Sequence, residues 1–111
     1  MSIASLCDRH TVDLYTRSES RGAAGSAAYT YALAATKRCF LQPASTRDRT
    51  IALQSGYEIS HVAYFASDPS LRGGDEIRYG SRVLTVVGKP INAGEMGRYW
   101  RVEAMEQEQR Q

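Results

Sequence analysis

Residues 10–18, HTVDLYTRS, set Val12, Leu14 and Thr16 in alternation with Asp13, Tyr15 and Arg17. A period of two sends successive side chains to opposite faces, so this stretch reads as a strand with one face toward a core. Residues 19–30, ESRGAAGSAAYT, are rich in glycine, serine and alanine. Gly22 and Gly25 would each cost a helix about 1 kcal/mol relative to alanine, which favours a flexible loop over a short helix. In YALAATKRCFLQP, residues 31–43, Leu33, Ala35, Cys39 and Leu41 line one face of a strand, with Lys37 the misfit. The alanine content also permits a helix there. Pro43 ends the element in either case, because it supplies no backbone donor.

ASTRDRTIALQSG, residues 44–56, carries a helix signature. Ser45 and Asp48 have capping-box spacing, and Gly56 suits a C-terminal stop. With only Ile51 and Leu53 to bury, a mobile loop with one helical turn fits the same residues. From Tyr57 onward the pattern is β. YEISHVAYFA, residues 57–66, is aromatic and β-branched, and SDPSLRGG, residues 67–74, is turn chemistry. Next, DEIRYGSRVLTVVGKP folds back on itself at Gly80-Ser81. Glycine at the first central position suits a type II′ turn, with Val83 and Val87 expected inside. After the loop NAGEMG, RYWRVEAME places Trp100, Val102 and Ala104 on one face and Tyr99, Arg101 and Glu103 on the other. The expected fold is therefore mainly all-β: a small antiparallel β-barrel or sandwich of about six strands, with long loops and room for one short helix. Residues 1–104 read as one barrel domain and residues 105–111 as a polar C-terminal tail.

A chain of 111 residues has room for one core, and at this size it buries roughly two-thirds of its unfolded surface without a metal or disulfide staple. Fourteen basic against twelve acidic residues leave a net charge of only +2, too weak a bias to point to nucleic acid by itself. Cys7 and Cys39 lie far apart with no CxxC, which reads as synthesis in a reducing cytosol. The N-terminal MSIASLCDRH lacks the basic and apolar regions of a signal peptide. No run approaches the roughly 18 apolar residues that a membrane span needs.

Candidate chemistry is thin. Cys39, His61 and Asp68 make a nucleophile–base–acid set on paper, but no glycine elbow or oxyanion-hole signature accompanies them. Cys39 reads as a small core residue and His61 as a partly buried strand histidine. Cys7 and His10 form a Cys-x-x-His pair, yet no second close pair completes a zinc site with Cys39 and His61. GGDE, residues 73–76, reads as a strand entry, and RGAAGS lacks the lysine of a phosphate loop. No catalytic, metal or cofactor residue is assigned, and the chain is not read as an enzyme. Arg78, Arg82, Arg98 and Arg101 among Tyr79, Tyr99 and Trp100 are the mixture that stacks bases and holds phosphates. The plainer reading leaves these arginines solvated, or paired with Glu76, Glu95 and Glu103. A small nucleic-acid-binding barrel stays open as the alternative function.

Four motifs in the C-terminal half follow one another in a recognisable order. They are Val62 to Phe65, Gly74-Asp75-Glu76-Ile77, the Gly-x-Arg-apolar-x-Val hairpin of Gly80 to Val86, and a last strand from Tyr99 to Glu106. In this order and spacing the chain resembles the phage head-tail joining proteins, also called head completion or stopper proteins. The N-terminal half agrees in layout, ending its strand in Gln42-Pro43. It departs where the family often has a large apolar residue in the second strand, a packing role expected here of Tyr29 and Tyr31.

The resemblance implies a connector domain that forms a ring of six or twelve copies in the virion neck, made in the host cytoplasm. Its expected partners are a portal or adaptor protein above, tail terminator or other tail proteins below, and phage DNA passing without sequence specificity. The segment corresponding to the channel and gating loop is Ser45, Thr46, Arg47, Asp48, Arg49, Thr50, Gln54, Ser55 and Gly56 with the residues between. Arg21, Gly22, Ala23, Ala24, Gly25 and Ser26 are the expected contact loop toward a neighbouring subunit, portal or adaptor.

Overall fold

The structure is a computed structural model that describes residues 9–21, 27–92 and 99–107. Its elements are β1 (His10–Arg21), β2 (Ala27–Pro43), α1 (Thr46–Gln54), β3 (His61–Phe65), β4 (Glu76–Tyr79), β5 (Arg82–Asn92) and β6 (Trp100–Glu106). All strand pairs are antiparallel, and the sheet closes into a barrel in the order β1-β2-β3-β6-β5-β4. Asp13, Leu14 and Tyr15 of β1 make the closure against Arg78, Ile77 and Glu76 of β4. The interior is filled by Val12, Leu14, Cys39, Leu41, Ala63, Phe65, Leu71, Ile77, Leu84, Val86, Val102 and Ala104. The mainly all-β antiparallel fold expected from the sequence is therefore observed, as a barrel rather than a sandwich, with Cys39 a core residue.

The β4–β5 hairpin turns as its sequence requires. Tyr79 pairs with Arg82, leaving Gly80 and Ser81 as the two-residue loop. Gly80 has φ 62°, and Ser70 is the one described non-glycine residue at positive φ. Positive φ at the first central position alone defines the type II′ turn. The interior residues of β5 are Leu84 and Val86, not Val83 and Val87. The tight turn fixes the register, so Leu84 stands opposite the buried Ile77 and Val83 opposite Arg78 on the outer wall.

A second, smaller core lies outside the barrel, where α1 covers β3. Ala44, Ala52, Ile59 and Val62 are buried in it, with Tyr57, Tyr64 and Val87 against them. This explains why β3 buries both Val62 and Ala63, neighbours on opposite faces. The strand expected from Tyr57 begins at His61. Residues 57–60 instead lead the chain off the helix, with the Tyr57 amide donating to the Ala52 carbonyl and the Ser60 amide to that of Ala104. At the other end, β6 runs through Met105 and Glu106, and the Gln107 amide donates to the Val83 carbonyl. Strand thus occupies the first positions of the expected tail.

The largest departure from the sequence reading is an arm. Residues 19–30, expected as a flexible loop, contribute Glu19–Arg21 to β1 and Ala27–Thr30 to β2, paired from Ser18↔Thr30 to Arg21↔Ala27. β2 is a single strand of 17 residues, which closes the helix alternative for residues 31–43. Among the described residues, β1 and β2 beyond Tyr15 and Leu33 have only each other as strand partners, since β4 reaches β1 at residues 13–15 and β3 reaches β2 at residues 39–43. Seventeen residues at about 3.3 Å each span roughly 55 Å, and the molecule's longest dimension is 53 Å.

A β-bulge sits where arm and barrel join. Leu14 pairs with Ala35 but Tyr15 pairs with Leu33, so Ala34 is the extra residue. One inserted residue exchanges the faces of everything beyond it. Leu33 therefore does not share the inner face with Ala35, Cys39 and Leu41. It is 57% exposed and stands with Tyr29 and Tyr31 on the outer face of the arm. The two tyrosines, 50% and 37% exposed, do not take the core-packing role expected of them.

Candidate assembly surfaces

The arginine–aromatic mixture of the C-terminal half is dispersed by the fold. Arg78 lies over the Tyr15 ring at 3.8 Å and donates to Glu76 Oε1 at 2.7 Å. Arg82 is held by both carboxylate oxygens of Glu106, at 2.6 and 3.2 Å. Arg101 pairs with Asp48 of α1 at 3.3 Å and with Glu103 at 3.5 Å. Tyr99 packs on Tyr64. Arg98 and Glu95 lie outside the described residues. The three described arginines thus have anionic partners, as the plainer reading expected. Asp75 and Glu76 are likewise structural: the buried Asp75 carboxylate accepts from the amides of Arg17 and Arg72, both at 2.9 Å.

His61 belongs to a polar network at one rim of the barrel. Arg82 can only donate, so the 3.1 Å contact from its terminal nitrogen makes His61 Nε2 an acceptor. The ring proton is then on Nδ1, which donates to Ser60 Oγ at 2.9 Å. Ser60 Oγ in turn accepts from the Glu106 amide at 2.7 Å. Burial, reinforced by Arg82 and Arg49 and opposed by Glu106, lowers the His61 pKa from its ordinary value. Every polar contact of this ring is accounted for by scaffold atoms. His10 Nδ1 accepts from the Leu41 amide at 3.1 Å. Cys7 lies outside the described residues, and no metal-holding cluster occurs among the described ones.

The segment singled out as a channel loop, residues 45–56, is a helix with its flanking caps. Ser45 Oγ accepts from the Asp48 amide at 3.1 Å, the N-cap bond foreseen from the sequence. The Ser55 amide bonds back to Ile51 and Ala52, and Gly56 follows at φ 89°. The residue that α1 buries is Ala52, while Leu53 is 60% exposed and Ile51 also faces solvent. Asp48 lies on the barrel side through Arg101. At 100° per residue this turns Arg47, Thr50 and Gln54 outward and sets Arg49 with Leu53 on one flank. That flank borders a groove of about 280 Å³, lined by Arg49, Leu53, Glu58, Ile59, Ser60 and Met105.

The arm offers a second surface. Residues directly opposite in antiparallel strands share a face, so the pairs Tyr15↔Leu33, Arg17↔Tyr31 and Glu19↔Tyr29 make one face of it. Thr16↔Ala32 and Ser18↔Thr30 make the other, where the two hydroxyls hydrogen-bond at 2.7 Å. The arm is therefore two-faced: Tyr31 and Leu33 are exposed on the first of these faces, and its Tyr29 end borders Arg72, Gly73 and Asp75. The Arg17 guanidinium stacks on Tyr29 at 4.5 Å and fills the space beside Gly74, whose φ of 94° and lack of a side chain permit it. Of the expected contact loop, Arg21 ends β1, and Gly22, Ala23, Ala24, Gly25 and Ser26 lie outside the described residues. Sequence reasoning missed the arm's outer face. The alternation of Tyr29, Tyr31 and Leu33 with Ala28, Thr30 and Ala32 was its available signal.

Comparison with known proteins agrees with this architecture. The chain is similar over 99% of its length, and over 100% of the other chain, to the solution structure of protein SF1141 from Shigella flexneri 2a. The TM-score is 0.70 at 18% identity, a likeness of fold. No curated protein matches. The family model described as phage head completion protein matches residues 1–108. The chain belongs to the phage head completion protein family.

Proposed function

We propose that this phage head protein works in the neck of the virion, as a ring that continues the DNA channel below the portal or adaptor, closes it after packaging and docks tail proteins. The observation that carries this reading is the family match across residues 1–108. The fold supports it: a closed barrel stiffened by a tight hairpin, with apolar side chains exposed on an arm and along the groove beside α1. Paired arginines at 78, 82 and 101 suit a wall past which DNA slides without being held. The same pairing weighs against the nucleic-acid-binding alternative. Within the ring, the outward Arg47, Thr50 and Gln54 of α1 are the residues proposed to face the channel. The segment from Arg21 through Ser26 is proposed to meet a subunit, portal or adaptor.

The test is to remove the gene from a phage that carries it and examine the particles. Expected are heads that package DNA but then lose it, accumulating beside unattached tails. Tailed particles that retain their DNA would contradict the proposal.

A further inference from the structure

The outer face of the arm and the groove beside α1 sit at opposite ends of β2: Tyr29, Tyr31 and Leu33 lie toward its start, and α1 begins three residues after its end. In a molecule 53 Å long, neither surface can cover the other within one chain. Their shapes are complementary: Tyr31 and Leu33 are exposed on the arm beside the pocket that Tyr29 shares with Arg72 and Asp75, and the α1 groove is a concave site able to hold one or two such groups between Leu53, Ile59 and Met105. Their charges can also match: the arm face carries the exposed Glu19 and the groove Arg49, while Arg17 is engaged by Tyr29 within its own chain. We infer that the arm of one copy seats Tyr31 and Leu33 in the α1 groove of the next, with Glu19 toward Arg49.

An arm-to-arm contact would cover one of the two surfaces and leave every groove open. The head-to-tail contact covers both with a single interface, and repetition of a heterologous contact closes a ring when its rotation permits. It also gives the arm what its own sequence withholds, since an isolated two-stranded ribbon is marginal in water. This inference rests on the ring reading above and names the surfaces that build the ring. Arg49 and Leu53 occupy a different side of α1 from Arg47, Thr50 and Gln54, so subunit contact and channel lining do not compete for the same residues.

Disulfide trapping on the purified full-length chain, in a Cys7→Ser background, tests the contact. Leu33→Cys and Leu53→Cys are placed on separate chains and together on one; the native Cys39 is buried and does not compete. The expected result is a cross-linked dimer only when the two single variants are mixed, and a ladder of dimers, trimers and larger species from the double variant. Charge reversal by Glu19→Arg or by Arg49→Glu weakens the ladder, and the two together restore it. Dimers from Leu33→Cys alone overturn the head-to-tail contact in favour of arm-to-arm pairing. So does the absence of any ladder while circular dichroism shows the variants folded. A ladder from a chain missing from the neck would sink the connector reading and keep the contact. A neck ring whose chains do not cross-link would do the reverse.

Discussion

The barrel and the arm are built from the same two strands, β1 and β2, yet they obey opposite rules. In the barrel each strand is paired on both sides and its apolar face points inward, to Val12, Leu14, Cys39 and Leu41. Past the bulge at Ala34 the same strands pair on one side only, and the apolar face points out. A single inserted residue makes the difference. The barrel is complete as a monomer, because closure satisfies both its backbone edges and its hydrophobic side chains. Among the described residues nothing pairs with the arm's free edges or covers Tyr31 and Leu33. Stability should therefore reside in the barrel and assembly in the arm.

The strongest way to break that division is to damage each region in turn. Phe65 is among the largest fully buried side chains, and Phe65→Ala should cost about 3–5 kcal/mol, a large share of the roughly 5–15 kcal/mol of a domain this size. Leu33→Ala, a comparable loss of apolar atoms in the arm, should change stability by no more than about 0.5 kcal/mol. Chemical denaturation of the two purified variants checks both. A Leu33 variant as damaging as the Phe65 one would mean that the arm belongs to the monomer's core.

Acidification sharpens the comparison with a smaller effect. His61 has its folded pKa lowered chiefly by burial, so its contribution to stability is present above its ordinary value of 6.5 and is lost as pH falls through the folded value. Glu106 is held below its usual 4.5 first by its hydrogen bonds to Arg82. Its contribution is also lost on acidification, at lower pH than that of His61. Melting temperature should accordingly fall as pH drops below 6.5, and fall further below 4.5. His61→Gln should flatten the first step and leave the second. The Ser18–Thr30 hydroxyl pair of the arm titrates in neither range. A first step unchanged in His61→Gln would remove the rim network from the account.

Much of the barrel could be read from residues alone, because periodicity and turn chemistry are local. The Gly80-Ser81 turn, the Ser45 cap and the alternation of Val102 with Ala104 each carry their own signal. What could not be read depends on partners distant in the chain. Whether Val83 or Leu84 faces inward is set by the register opposite Ile77, and the face of Leu33 by a bulge that leaves no mark in YALAATK. Ala52 of α1 carries no such signal, because alanine alone looks too small to anchor a helix. It is the anchor because Val62 and Ile59 bring the barrel wall close enough to need a small residue. The pairing of Arg82 with Glu106 likewise joins residues 24 apart. In the arm, glycines at 22 and 25 pointed to a loop, and their signal outweighed the Tyr-Thr-Tyr alternation that follows.

The central claim is that this chain is a neck component whose copies join arm to groove. Electron microscopy of tailed particles that carry the gene tests it most directly. The account predicts a ring of this chain between portal and tail, with Tyr31 and Leu33 of each copy against Leu53 and Met105 of its neighbour. A neck filled entirely by other chains would contradict it.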